Sequence, residues 1–210
     1  MTLRPIILAS LLVAPFQSTL ADESRWRLSP YAGFSSLGDA SGQTDSGQPV
    51  TVETNGGFVA GLRAEYAMTN NLRGVAGWEY RSNDSTTRID PAAGLPGNYA
   101  SNTFHLGGKY LFPTRGRFTT YIGGGINWIQ EVDLDLEAAV SETSYSGDGS
   151  VGVELSAGVE APLGDRWILD LAARYQRFGT QDLTLESLPG TVTGVDYDPL
   201  TLSIGLSYRF

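Results

Sequence analysis

The chain has 210 residues, no cysteine, 26 glycines and a formal charge of −9 from 23 acidic and 14 basic residues. The absence of cysteine excludes disulfides and thiolate metal centres. The acidity leaves no basic footprint for nucleic acid, so no nucleic-acid partner is expected.

Met1–Ala21 carries the pattern of a secretory signal: Arg4 in a short basic start, an apolar run from Pro5 to Phe16, and small residues at Thr19 and Ala21. Cleavage there leaves Asp22 first, removes Arg4 and takes the charge to −10. The expected organisation is a signal peptide over 1–21 and one domain over 22–210. The apolar run is too short for a membrane-spanning helix, and no later run is longer, so a membrane crossing would have to use strands.

Period-two patterning predicts eight strands, each with one apolar face. Taken in chain order, those faces begin with Trp26, Leu28, Ala32 and Phe34 in the first strand. Phe58, Ala60, Leu62, Ala64 and Tyr66 follow in the second, and Leu72, Ala76, Trp78 and Tyr80 in the third. The fourth carries Phe104, Leu106, Tyr110 and Phe112, and the fifth Ile122, Ile126 and Trp128. The sixth runs from Val151 to Ala161 and the seventh from Trp167 to Tyr175. The eighth, Leu200–Phe210, sets Leu200, Leu202, Ile204, Leu206, Tyr208 and Phe210 on one face.

The connections alternate in length. Ala67–Asn71, Pro113–Phe118 and Pro162–Arg166 are short and built of turn residues. Ser36–Thr54, Ser82–Ser101, Glu131–Gly149 and Gly179–Asp198 are long and polar. The expected fold is therefore all-β: an eight-stranded antiparallel up-and-down transmembrane β-barrel with short periplasmic turns, long extracellular loops and two aromatic girdles.

The opposite strand faces hold Arg27, Arg63, Glu65, Arg73, Glu79, Arg81, His105, Lys109, Glu154, Glu160, Asp170, Arg174 and Arg209. A soluble ligand-carrying barrel would turn apolar residues inward; this one turns charges inward. An eight-stranded lumen is just filled by side chains, and buried charges persist only when paired. A packed polar core is expected, with inward glycines such as Gly61, Gly77 and Gly158 making room for arginine and tyrosine.

His105 is the single histidine, and its inward position beside Lys109 favours a structural role. Glu131, Asp133, Asp135 and Glu137 alternate along a strand too far apart to ligate one ion, so no metal or cofactor is expected. The fifth strand is expected to run on beyond the membrane there, its acids facing water. On the opposite face Val132, Leu134 and Leu136, with Leu183 and Leu185 after the seventh strand, would form an apolar ledge. Such a ledge either packs against itself or captures a partner strand by edge pairing.

The closing Y-R-F with apolar residues at every second position, and the segment Y-I-G-G-G-I-N-W, make the mature chain resemble the small eight-stranded outer-membrane barrels: the OmpX and Ail type, the opacity proteins and the barrel half of OmpA. That resemblance marks Leu202, Ile204, Leu206, Tyr208 and Phe210 as a signal for the barrel assembly machinery. It also implies contact with outer-membrane lipid and lipopolysaccharide, a monomer, and a non-enzymatic surface or adhesion role toward an extracellular host or surface ligand. No peptidoglycan-binding domain is expected after Phe210. The alternatives are a structural envelope protein, a small-solute or OmpW-like apolar conduit, and an enzyme acting on lipid A. The last is disfavoured because the deacylase pattern places serine two positions after histidine, where this chain has Gly107.

Overall fold

The computed structural model describes residues 25–44, 46–89, 94–113, 116–137, 142–147, 149–179, 181–185, 191–195 and 198–210. The expected signal peptide lies outside them. Twelve strands form: β1 (Trp26–Ser36), β2 (Ala40–Thr44), β3 (Pro49–Ala67), β4 (Leu72–Ile89), β5 (Leu95–Pro113), β6 (Thr119–Glu137), β7 (Glu142–Gly147), β8 (Ser150–Pro162), β9 (Trp167–Phe178), β10 (Gln181–Leu185), β11 (Thr191–Val195) and β12 (Leu200–Arg209).

Eight of them close the membrane barrel, in the order β1-β12-β9-β8-β6-β5-β4-β3, with β3 pairing back onto β1. These match the eight strands read from the sequence. All pairings are antiparallel. Leucine, isoleucine and aromatic residues at alternate positions face outward, where lipid replaces water. Ile204, for example, is 53 % exposed.

The long connections depart from expectation. Much of each is strand. β3, β5 and β6 have 19 residues each, about 60 Å of chain, roughly twice what a tilted crossing of an apolar band about 25 Å tall uses. Their outer halves, with that of β4, are joined by β2, β11, β10 and β7 into a second ring above the first. The molecule thus has a stem in the membrane and a closed extracellular head.

Two β-bulges mark the junction. On β3, Asn55 and Gly56 together oppose Asp84 alone. On β6, Gln130 has no partner between the pairs Thr103↔Ile129 and Asn102↔Glu131. Each extra residue shifts the side-chain alternation by one and exchanges the two faces. Val132 and Leu134 were expected on an apolar ledge that either packs against itself or captures a partner strand. They are 0 % and 2 % exposed inside the head, because the bulge at Gln130 turns them inward. Asp133 and Asp135 face water, as expected. Leu136, Leu183 and Leu185 lie on β6 and β10, but their side chains are outside the described ones.

The head has its own apolar core of Leu37, Val50, Val52, Tyr99, Ile129, Val132, Leu134 and Phe178, with Leu95 packed against it. Asn83 secures the β3 bulge. Its Nδ2 donates to the carbonyls of Ser35 (3.0 Å) and Asn55 (2.9 Å).

Candidate functional site

Strand alternation delivers one charged side chain after another into the stem lumen, and the narrow bore forces them to pair. The buried charged residues are Arg27, Arg63, Arg81, Lys109 and Arg174 against Glu65, Glu79, Glu154, Glu160 and Asp170. Five bases face five acids, so the fully buried charges sum to zero.

Near the periplasmic end, Lys109 Nζ lies 2.6 Å from both Glu65 Oε1 and Glu160 Oε1, and 3.9 Å from Asp170 Oδ2. Arg27 Nη1 donates to Glu160 Oε2 at 2.8 Å. Asp170 accepts from Arg63 Nη1 at 3.1 Å and from Tyr121 Oη at 2.9 Å. The carboxylates of Glu65, Glu160 and Asp170 are close enough together to hold a metal ion. The Lys109 ammonium already supplies the positive charge such a cluster requires.

At mid-lumen, Glu79 accepts from Arg174, from Arg81 at 2.7 Å and from Tyr31 Oη at 3.0 Å. Arg81 Nη2 also reaches Gln176 Oε1 at 2.6 Å and Thr201 Oγ1 at 3.3 Å. Arg63 stacks over Tyr31 and Lys109 over Tyr121, 4.8 and 4.6 Å from the ring centres. Room for these rings comes from glycine. A Cβ on Gly61 would stand 2.6 Å from the Tyr31 ring, and Gly158 faces Tyr121 in the same way.

Of the other expected lumen residues, Arg73 and Arg209 are half-buried, near the periplasmic mouth. His105 is buried, and neither ring nitrogen has a hydrogen-bond partner. It borders a cavity of about 30 Å³, also lined by Arg63, Lys109, Glu154, Ser156 and Arg174. That space holds about two water molecules. The sequence reading omitted Tyr31, Tyr121, Gln176 and Thr201. Alternation does contain them: Tyr31 follows Arg27 and Ser29, and Gln176 follows Arg174.

The C-terminal residues expected as an assembly signal lie where alternation puts them. Leu202, Ile204, Leu206 and Phe210 are exposed on the lipid face, and Tyr208 is half-buried. Tyr208 sits between Trp167 and Phe210, at ring-centre distances of 4.8 and 5.4 Å.

Above the network an apolar cluster lies beside buried Asn83, Ser85 and Thr87, and burial pushes the Tyr99 hydroxyl up, with Arg81 opposing the shift. Among the described residues of the head, Asp39, Asp84, Asp133, Asp135 and Asp182 are exposed. The segments 36–55, 82–101, 130–150 and 178–199 contain fifteen of the 23 acidic residues and one base, Arg88.

A family model described as "Outer membrane protein beta-barrel domain" matches residues 6–210. The chain belongs to this family. It is a bacterial outer-membrane protein, and the solved structures similar to it share the barrel. OprG from Pseudomonas aeruginosa aligns at TM-score 0.70 and 17 % identity, over 90 % of this chain and 97 % of OprG. The outer membrane protein AlkL, determined in lipid bilayers, aligns at 0.57 and 17 %, over 94 % and 96 %. Neisserial surface protein A aligns at 0.52 and 18 %, over 90 % and 99 %. At these identities the likeness concerns the fold. No curated protein matches by sequence.

Proposed function

We propose that this outer-membrane barrel is a non-enzymatic surface-interaction protein: a sealed stem holding an acidic head out from the cell. The observation that carries this reading is the segregation of charge, with fifteen acidic residues and one base in the head segments. A field of one sign steers partners of the opposite sign and is screened by salt. The partner is therefore a basic surface on a host protein or matrix component. The second ring adds support. It fixes the outer faces of β3–β6 as strands, and a rigid surface loses less entropy on binding than free loops do.

The test compares cells displaying the wild-type barrel with cells displaying Asp84→Asn, Asp133→Asn, Asp135→Asn and Asp182→Asn combined. All four positions are exposed, and folded barrel is matched by heat-shift electrophoresis. Binding to basic proteins that weakens with salt and is lost in the variant supports the reading. Equal binding by both removes it.

One observation favours a second reading, a conduit for apolar molecules. The head interior contains an apolar cluster, and β1, β8, β9 and β12 all break off from their upper partners at Gly38, Gly149, Gly179 and Pro199, whereas β3–β6 run through unbroken. The wall on that side is interrupted at one level. Faster entry of an apolar dye into vesicles carrying the barrel than into empty ones would favour this reading over the first.

A further inference from the structure

At the periplasmic rim the same three-residue arrangement occurs twice. Before β1, Arg25 precedes Trp26, whose ring lies 4.9 Å from that of Tyr66 on β3, and Arg25 Nη1 donates to Tyr66 Oη at 3.4 Å. Before β9, Arg166 precedes Trp167, whose ring lies 4.8 Å from that of Tyr208 on β12, and Arg166 Nη1 donates to Tyr208 Oη at 3.0 Å. The backbones are pinned alike. The Arg25 carbonyl accepts from Ala67 N at 2.8 Å, and the Arg166 carbonyl accepts from Arg209 N at 2.9 Å.

The two clasps flank one strand. In the ring order β3-β1-β12-β9, β12 alone separates β1 from β9, so the arginines start about 10 Å apart, two strand spacings. Beside them Trp167, Tyr208 and Phe210 form one ring cluster and Trp26 with Tyr66 a second, with Trp26, Trp167 and Phe210 exposed on the outer face. Both arginines are exposed and each donates to a phenol oxygen, and aromatic rims of such barrels favour the membrane interface.

Among the described rim residues the balance is basic. Arg25, Arg117 and Arg166 are exposed and Arg73 and Arg209 half-buried, against the single acid Asp165 among the described rim residues. A strong anionic ligand fits this charge, and the exposed rings fit acyl chains. Guanidinium pairs bind phosphate by charge-assisted hydrogen bonds.

We propose that the paired Arg25–Tyr66 and Arg166–Tyr208 clasps form a binding site for the phosphate of an anionic glycerophospholipid of the periplasmic leaflet. Its chains lie over Trp26, Trp167 and Phe210. The site spans β3, β1, β12 and β9, where the barrel closes, so the bound lipid bridges the first and last strands.

The experiment is native mass spectrometry of the intact folded barrel, released from micelles containing equal phosphatidylglycerol and phosphatidylcholine. Wild type is expected to retain phosphatidylglycerol roughly thirtyfold over phosphatidylcholine, from about fivefold per arginine near an anionic surface. The Arg25→Gln/Arg166→Gln pair should bring the ratio close to one. Arg117→Gln, on the turn between β5 and β6 across the barrel, should leave it unchanged. Equal retention of the two lipids by wild type would overturn the site, as would unchanged preference in the double variant. Tyr66→Phe/Tyr208→Phe keeps both rings and should lower the preference; full retention there would overturn the clasp geometry. An arm adding lipid A tests the source. Displacement of phosphatidylglycerol by lipid A would overturn the assignment to the periplasmic leaflet.

Discussion

Replacing Lys109 by methionine removes the cation on which three carboxylates converge. Its Nζ touches Glu65 and Glu160 at 2.6 Å each, with lysine and glutamates at most 6 % exposed. A cavity of about 30 Å³ lies beside it. Breaking a buried pair from one side costs about 3–5 kcal/mol, since a charge is left uncompensated. Lys109→Met should cost that much, and so should Glu160→Gln, which strands Arg27 and leaves Lys109 to Glu65. Together the two changes leave four bases and four acids, restoring the balance seen in the wild type. The double variant should therefore lose about 2 kcal/mol less than the sum of the single losses, within the range found for residues of one network. Urea unfolding in lipid vesicles, followed by tryptophan fluorescence and checked by heat-shift electrophoresis, gives all four corners of the cycle. Additivity within about 0.5 kcal/mol would show that Lys109 and Glu160 do not act as a unit, and the network reasoning would fail.

Ile204→Arg sets a charge against lipid near mid-membrane at a position 53 % exposed, and should cost about 2–4 kcal/mol. Wild-type levels of folded barrel would show that Ile204 does not face lipid. Val132→Asp buries a carboxylate where nothing described pairs with it. External protease should then cut within the head while the stem keeps its heat-shifted mobility, and an intact head would place Val132 outside.

Alternation alone carried the stem, because lipid demands an apolar outer face at every second residue and the bore fills with what remains. That is why Arg27, Lys109 and Glu160 could be assigned inward from the sequence. The head escaped for two physical reasons. Ser82–Ile89 has Asn83, Ser85 and Thr87 on its inner face, so no apolar period announces a strand, and its polarity suggests a loop. On β6 the opposite happened. The apolar period was visible through Val132 and Leu134, but one unpaired residue, Gln130, reversed its sense. A bulge leaves no compositional mark, and only cross-strand register reveals it. The rim clasps were hidden for a related reason, since Arg25 and Tyr66 are 41 residues apart and meet only once β1 pairs with β3.

A closed stem with its activity on the outer surface is tested most directly by single-channel recording of the purified barrel in a planar bilayer. The neutral five-against-five network predicts a flat baseline at moderate voltage, with no conductance steps above those of the bare membrane. Regular ohmic steps from barrel of verified fold would show that the charges move aside to open a path, and would contradict the sealed lumen.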